Sequence, residues 1–170
     1  MRHAIGPLTA ALLAFAGSAS AEADEALVQP PVGAVLILEV VANGVQIYTC
    51  STGTNGLAWA FKAPEAALVD RQGQPAGSHF GGPSWKSIDG SMVTGDLLAK
   101  ANAPEASAIP WLLLRVKSHQ GSGVLAPVAY IRRSATSGGI APSTGCDSNH
   151  AGAEARVPYG ATYQFYAETK

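Results

Sequence analysis

Frequent glycine and proline divide this chain into short apolar runs, and this punctuation is the feature that most restricts its fold. The sequence holds 19 glycines and 11 prolines in 170 residues, while charged residues make up only 14%. Short β-branched and aromatic runs between turn residues are typical of strands and not of solvated helices. We therefore predict a mainly β fold, a single antiparallel β-sandwich or barrel with hairpin connections.

The first hairpin is predicted at Asn43-Gly44, a strong two-residue turn signal between the runs 34–42 and 45–50. A second is predicted at Asp89-Gly90, which suits the positive φ angles of a type I′ turn. Residues 109–117 and 124–133 are the longest β-like runs and are expected to pair as central antiparallel strands. Further strands are predicted at 56–62, 67–70 and 161–168, whereas 97–103 fits either a strand or one helical turn.

The first residues have the form of a secretory signal peptide. Arg2 is followed by an apolar stretch to Ala16, and Ala19-Ser20-Ala21 fits the small-x-small pattern of a cleavage site. Cleavage after Ala21 leaves 149 of the 170 residues, a common size for one domain. We predict a signal peptide at 1–21, a lead-in at 22–31 and a single β-rich domain at 32–170, exported to a periplasm or the medium.

The two cysteines, Cys50 and Cys146, are expected to form one disulfide, because oxidising compartments make and keep such bonds. A redox-active thiol pair is the weaker interpretation, since no C-x-x-C motif is present. With 10 basic and 12 acidic residues after Ala21, the mature chain lacks the positive charge that nucleic-acid binding needs. No stretch is long and uncharged enough to predict a transmembrane segment.

Several motifs stand out along the chain: Gly44-x-Gln46-x-Tyr48-x-Cys50, Trp59-x-Phe61-x-x-Pro64, His79-Phe80-x-Gly82-Pro83-x-Trp85, Asp89-Gly90-Ser91, Ile109-Pro110-Trp111-Leu112-Leu113 and Gly138-Gly139-x-Ala141-Pro142-x-x-Gly145-Cys146. Together they resemble those of one family of secreted bacterial and fungal proteins, a domain of unknown function. The resemblance extends from about residue 30 to the C-terminus and implies an exported single domain, with no catalytic residue to transfer to this sequence.

His79, Trp85 and Asp89 form the candidate ligand-binding site. Trp85 offers a flat apolar face for a sugar or another ring, while His79 and Asp89 supply hydrogen bonds beside it. The competing interpretation is structural: Trp85 packs in the core, His79 bonds to a loop carbonyl, and Asp89 stabilises its turn. Where these three side chains point decides between the two.

The sequence contains no nucleophile elbow, no H-E-x-x-H motif and no paired Cys and His spacing, so we predict no catalytic residue, metal or cofactor. We expect an exported, non-catalytic binding or cell-envelope-associated module whose ligand is a small molecule or a glycan. The alternative is a small secreted hydrolase in which His79 works with Asp89 or Asp70 as acid and base.

Overall fold

Eight antiparallel strands follow one another around a closed ring in the computed structural model, which describes residues 24–169. Each strand pairs with the next in sequence, and β1 closes the ring by pairing with β8. The mainly β, antiparallel prediction is confirmed, and ring closure makes the fold a barrel. The strands are β1 (Val35–Gly53), β2 (Gly56–Val69), β3 (Pro75–Phe80), β4 (Ser84–Ser87), β5 (Met92–Ala101), β6 (Trp111–Gln120), β7 (Val128–Gly138) and β8 (Glu154–Ala167).

The hairpin predicted at Asn43-Gly44 is wrong. β1 continues through both residues, and Gly44 pairs with Ala66 on one side and Tyr159 on the other. Glycine is required there by a close approach of two backbones: a Cβ at position 44 would lie 2.1 Å from the Glu65 carbonyl oxygen. The dipeptide thus marks close packing within a strand and not a turn.

Two other predicted pairings are confirmed. β4 and β5 form a hairpin around Asp89-Gly90, and β6 pairs with β7. The first turn is not of type I′, because only Gly90 of the two has a positive φ, 88°. The Gly90 N–H donates to Ser87 O and the Ser87 N–H to Ser91 O, which is a three-residue loop ending in a left-handed glycine. The run 97–103 is strand as far as Ala101.

The inside of the barrel holds the main core, and its outside is covered in one place by the N-terminal segment. Trp85, Ile131 and Phe165 are among the fully buried side chains of the interior. A second apolar cluster lies under Val28, which follows a short helix at 24–27 and is completely buried. No helix among residues 24–169 is long and apolar enough to cross a membrane. The predicted signal peptide, 1–21, lies outside the described residues.

The predicted disulfide between Cys50 and Cys146 is present, with Cα atoms 5.3 Å apart. It joins the end of β1 to the connection between β7 and β8, residues 139–153. The same connection is held by the Trp59 indole, which donates to Thr144 O at 2.8 Å, and by the Gly152 N–H, which donates to Cys50 O at 2.8 Å. This long connection is therefore fixed against the ends of β1 and β2.

A gap interrupts the wall of the barrel because β3 and β4 are short. β2 pairs with β3 only from Ala66 onward, and β4 pairs with β5 only as far as Thr94. Residues 56–65 of β2 and 95–101 of β5 consequently face each other without an intervening strand. We call this opening the notch; its residues are 56–65 of β2 and 95–101 of β5.

Candidate functional site

A cavity of about 280 Å³ opens at the notch and extends into the barrel interior. All eight strands contribute side chains to it, so the site exists only once the ring has closed. An eight-stranded barrel is wide enough either to be filled by its own side chains or to hold one small ligand. The lining residues are Gln46, Phe61, Lys62, Pro64, His79, Gly82, Pro83, Trp85, Gly95, Asp96, Leu97, Leu112, Leu114, Arg133 and Tyr163.

His79 and Trp85 meet in the wall of the cavity. They are directly opposite residues of β3 and β4, and their rings stack with centroids 4.4 Å apart and planes within 12°. Tyr163 approaches both rings, at 5.0 Å from His79 and 5.5 Å from Trp85. The imidazole and the indole are almost fully buried, at 3% and 1% exposure. Two of the three candidate site residues are thus brought together as part of an aromatic cluster.

Burial keeps the His79 imidazole neutral. Desolvation is the main cause that lowers its pKa from 6.5 to about 4, and the nearby Arg133 charge acts in the same direction. Nδ1 lies 2.9 Å from the Ser84 carbonyl oxygen, which raises the pKa in part. Because a carbonyl oxygen only accepts, Nδ1 carries the proton and Nε2 is left as an acceptor.

Asp89, the third candidate residue, does not line the cavity. Its carboxylate accepts hydrogen bonds from the Ser91 N–H and hydroxyl and from the Val124 N–H, at 2.9, 2.6 and 2.8 Å. These bonds, with the Ser91 hydroxyl foremost, lower its pKa to about 2. Asp89 therefore fixes the β4–β5 turn to the residues that precede β7.

Asp70, the other carboxylate considered as a partner of His79, stabilises a different turn. It accepts from the backbone N–H groups of Gln72 and Gln74 at 2.9 and 2.8 Å. Among the contacts of residues 24–169, neither Asp70 nor Asp89 is hydrogen-bonded to His79. Both carboxylates thus stabilise the turns in which they lie.

Arg133 brings a positive charge into the cavity wall. Its Nε and Nη2 both donate to the Pro110 carbonyl oxygen, at 3.0 and 2.7 Å. Burial lowers the pKa of His79, and the Arg133 charge lowers it further. Burial raises the pKa of Tyr163, and the same charge opposes that rise. The Arg133 charge therefore acts on groups inside the cavity. No carboxylate within residues 24–169 forms an ion pair with it.

Two other residues of the wall carry buried N–H donors without a protein partner, the Gln46 Nε2 and the Trp85 Nε1. Burial raises the pKa of the Tyr163 hydroxyl, and the neighbouring Tyr159 and Arg133 groups oppose that rise. A buried polar group that lacks a hydrogen bond costs about 1–3 kcal/mol. The interior end of the cavity is thus rich in hydrogen-bond donors.

The entrance of the cavity is apolar and flanked by ion pairs. Phe61 and Leu97 lie on opposite sides of the notch and are both 57% exposed. Lys62 pairs with Glu154, and Asp96 pairs with Lys117 at 3.4 Å. Exposed apolar side chains around an opening are a common feature of ligand entrances.

The described residues, 24–169, contain no group of three His, Cys, Asp or Glu side chains arranged to hold a metal ion. Asp147 and His150 do approach each other, with Oδ1 and Nδ1 2.7 Å apart, but they lie in the exposed connection before β8.

Sequence reasoning missed Arg133, Gln46 and Tyr163 as cavity residues. Tyr163 lies two residues before Phe165 on β8, so the two share one strand face, and both are core residues. Arg133 lies two residues after the buried Ile131 in β7, so both side chains are on the same face of the strand. Once Ile131 is known to face the interior, Arg133 is predicted to face it as well. Its neighbour Arg132 faces outward and pairs with Glu25 at 2.8 Å.

Comparison with known proteins gives one family. A family model described as "Protein of unknown function (DUF3455)" matches residues 31–167, which spans the whole barrel. No curated protein and no solved structure matches the chain.

Proposed function

The chain belongs to the family described as protein of unknown function (DUF3455), and we propose that it is an exported, non-catalytic module that binds a small molecule in the barrel cavity. The observation that carries the proposal is a cavity of about 280 Å³ to which every strand contributes. Small-molecule sites are typically concave and mostly apolar, with a few polar groups that fix orientation. The apolar entrance and the donor-rich interior end have this character.

The size and walls of the cavity favour a small, partly apolar ligand over a glycan. Its volume is just below the roughly 300 Å³ at which typical ligand pockets begin. A sugar commonly stacks on an open aromatic face, but one face of Trp85 is covered by His79 and its ring is 1% exposed. Leu112 and Leu114 supply aliphatic walls instead.

Binding without catalysis agrees with the state of His79. Its Nδ1–H donates to the Ser84 carbonyl oxygen. Because its pKa is about 4, the imidazole carries no second proton that it could give as an acid near neutral pH. The alternative of a hydrolase needs a carboxylate in contact with this imidazole, and no contact within residues 24–169 favours it.

The export part of the proposal rests on the signal-like N-terminus and is supported by the disulfide. A bond between Cys50 and Cys146 persists most readily in an oxidising compartment. A periplasmic or extracellular binding module, free or associated with the cell envelope, fits this chemistry.

A cavity-filling variant tests the proposal with the neutral fluorophore N-phenylnaphthylamine. Leu112 lines the cavity, whereas Leu98 is 54% exposed and lies outside it. We expect Leu112→Trp to weaken binding of the fluorophore about tenfold or more, which corresponds to about 1.4 kcal/mol. Leu98→Trp introduces the same indole at a solvent-exposed position and should bind like the parent. Equal binding by both variants at unchanged melting temperature, or no binding by the parent, would refute a ligand site in the cavity.

A further inference from the structure

Hydrogen-bond donors outnumber negatively charged acceptors among the polar groups that line the cavity. Arg133, Gln46 and Trp85 present N–H groups there, and Tyr163 presents a hydroxyl. The carboxylate at the cavity, Asp96, lies at the entrance beside Lys117 and is 65% exposed. The interior end offers the neutral Nε2 of His79 as an acceptor but no negatively charged group, so a ligand that carries a negative charge would complement its donors.

Arg133 retains unused donors. A guanidinium has five N–H groups, and the described contacts use two of its nitrogens for the single Pro110 carbonyl oxygen. A neutral carbonyl leaves the charge uncompensated, and within residues 24–169 no carboxylate supplies the balance. Arginine binds carboxylates with two parallel hydrogen bonds, more strongly than neutral acceptors.

The rest of the cavity suits an apolar chain or ring. Leu112 and Leu114 stand on β6 beside Arg133, and Leu112 is its direct cross-strand neighbour. Phe61 and Leu97 continue this apolar surface to the entrance. A ligand that reaches Arg133 from the notch must therefore place an apolar body along these side chains.

We propose that the ligand is a small amphipathic carboxylic acid, whose carboxylate binds Arg133 while its hydrocarbon part lies against Leu112, Leu114 and Phe61. This inference rests on the proposed function of the cavity. It adds the charge of the ligand and the direction in which the ligand lies. The carboxylate also supplies an acceptor for the Gln46 amide, whose Nε2 has no partner in the protein.

The test compares octanoate with octanol, which have the same hydrocarbon chain and differ in charge. Each displaces N-phenylnaphthylamine from the intact protein, and the ratio of their affinities is measured. A carboxylate accepts charge-assisted hydrogen bonds from a guanidinium that the neutral hydroxyl of octanol cannot match, so we expect octanoate to bind about tenfold or more tightly than octanol. The preference is measured in the parent protein and does not depend on any variant folding.

Two substitutions assign the preference to one residue. Arg133→Gln should abolish it, and Arg133→Lys should retain part of it because the charge is kept. Arg156→Gln removes a positive charge that pairs with Glu65 outside the cavity, and it should leave the preference unchanged.

The two proposals fail in different ways. If the parent protein does not bind the neutral fluorophore in the cavity, the small-molecule function fails. The proposal of a carboxylic acid ligand is wrong if the parent binds the fluorophore but octanol competes as well as octanoate. It is also wrong if Arg133→Gln folds and keeps the preference. In both cases the proposal of a binding site in the cavity remains.

Discussion

At the scale of one residue, the burial of His79 makes the stability of the protein depend on pH. The buried imidazole is neutral, with its pKa lowered by desolvation from 6.5 to about 4. Between these two values the unfolded chain binds a proton that the folded chain does not. Stability from this group is therefore fully present above pH 6.5 and is lost as the pH falls toward 4.

This shift predicts that the free energy of unfolding decreases by about 2 kcal/mol from pH 7 to pH 5. Urea unfolding at the two pH values measures it. His79→Gln should flatten the dependence, whereas His150→Gln, at an exposed position, should keep it. Equal slopes in the parent and in His79→Gln would show that His79 is not buried in the neutral form.

The candidate site was only partly predictable from sequence at this scale. His79 and Trp85 stand close together in the chain, and their pairing follows from a short hairpin. Asp89 belongs to the same stretch but satisfies its own turn. Arg133 and Gln46 could not be assigned, because their inward direction depends on strand phase and ring closure, which no local pattern encodes.

Gly44 illustrates the same limit at the scale of an element. Asn-Gly is a strong turn signal, yet β1 pairs on both sides from Val41 to Thr49. The hydrogen bonds of two neighbouring strands outweigh the local preference of the dipeptide. The turns at Gly90 and between β6 and β7 were predictable because there the local signal and the pairing agree.

A substitution distinguishes a strand glycine from a turn glycine. Gly44→Ala places a Cβ 2.1 Å from the Glu65 carbonyl oxygen, so it should destabilise the protein by about 1–3 kcal/mol or more. Gly53→Ala is the control, since the nearest atom to its Cβ is 3.7 Å away. Urea unfolding of both variants measures the difference. A Gly44→Ala protein as stable as Gly53→Ala would contradict the close approach of β1 and β2.

For the whole molecule, the Cys50–Cys146 bond closes a loop with a sequence separation of 96. In the chain-entropy model such a loop restricts the unfolded state by as much as ~4 to 5 kcal/mol. In the folded state the bond holds residues 139–153, which connect β7 to β8 and so complete the ring.

Removing the bond should loosen this connection and leave the strands paired. We expect Cys50→Ser and Cys146→Ser to be cut faster by proteinase K within 139–153, with the cut sites read by mass spectrometry. Cys146→Ser is the cleaner variant, because Cys50 is itself buried at 1% exposure. Cleavage at the parent rate under oxidising conditions would mean that the other contacts, such as Trp59 with Thr144, hold the connection alone.

The fold class, the disulfide and much of the strand pattern could be predicted, because alternation, turn residues and cysteine count are local or compositional. The cavity could not, since it depends on two short strands leaving a gap between β2 and β5. Strand length in turn follows from the Gly81-Gly82-Pro83 turn, whose Pro83 carbonyl oxygen accepts from the Gly95 N–H at 3.2 Å.

The most direct test of a ligand site inside the barrel is a set of intermolecular nuclear Overhauser effects between bound octanoate and the leucine methyl groups. A ligand in the cavity predicts contacts from its methylene protons to Leu112 and Leu114, with none to the exposed Leu36 on β1. Contacts confined to Leu36 and other exposed side chains, with Leu112 and Leu114 silent, would contradict it.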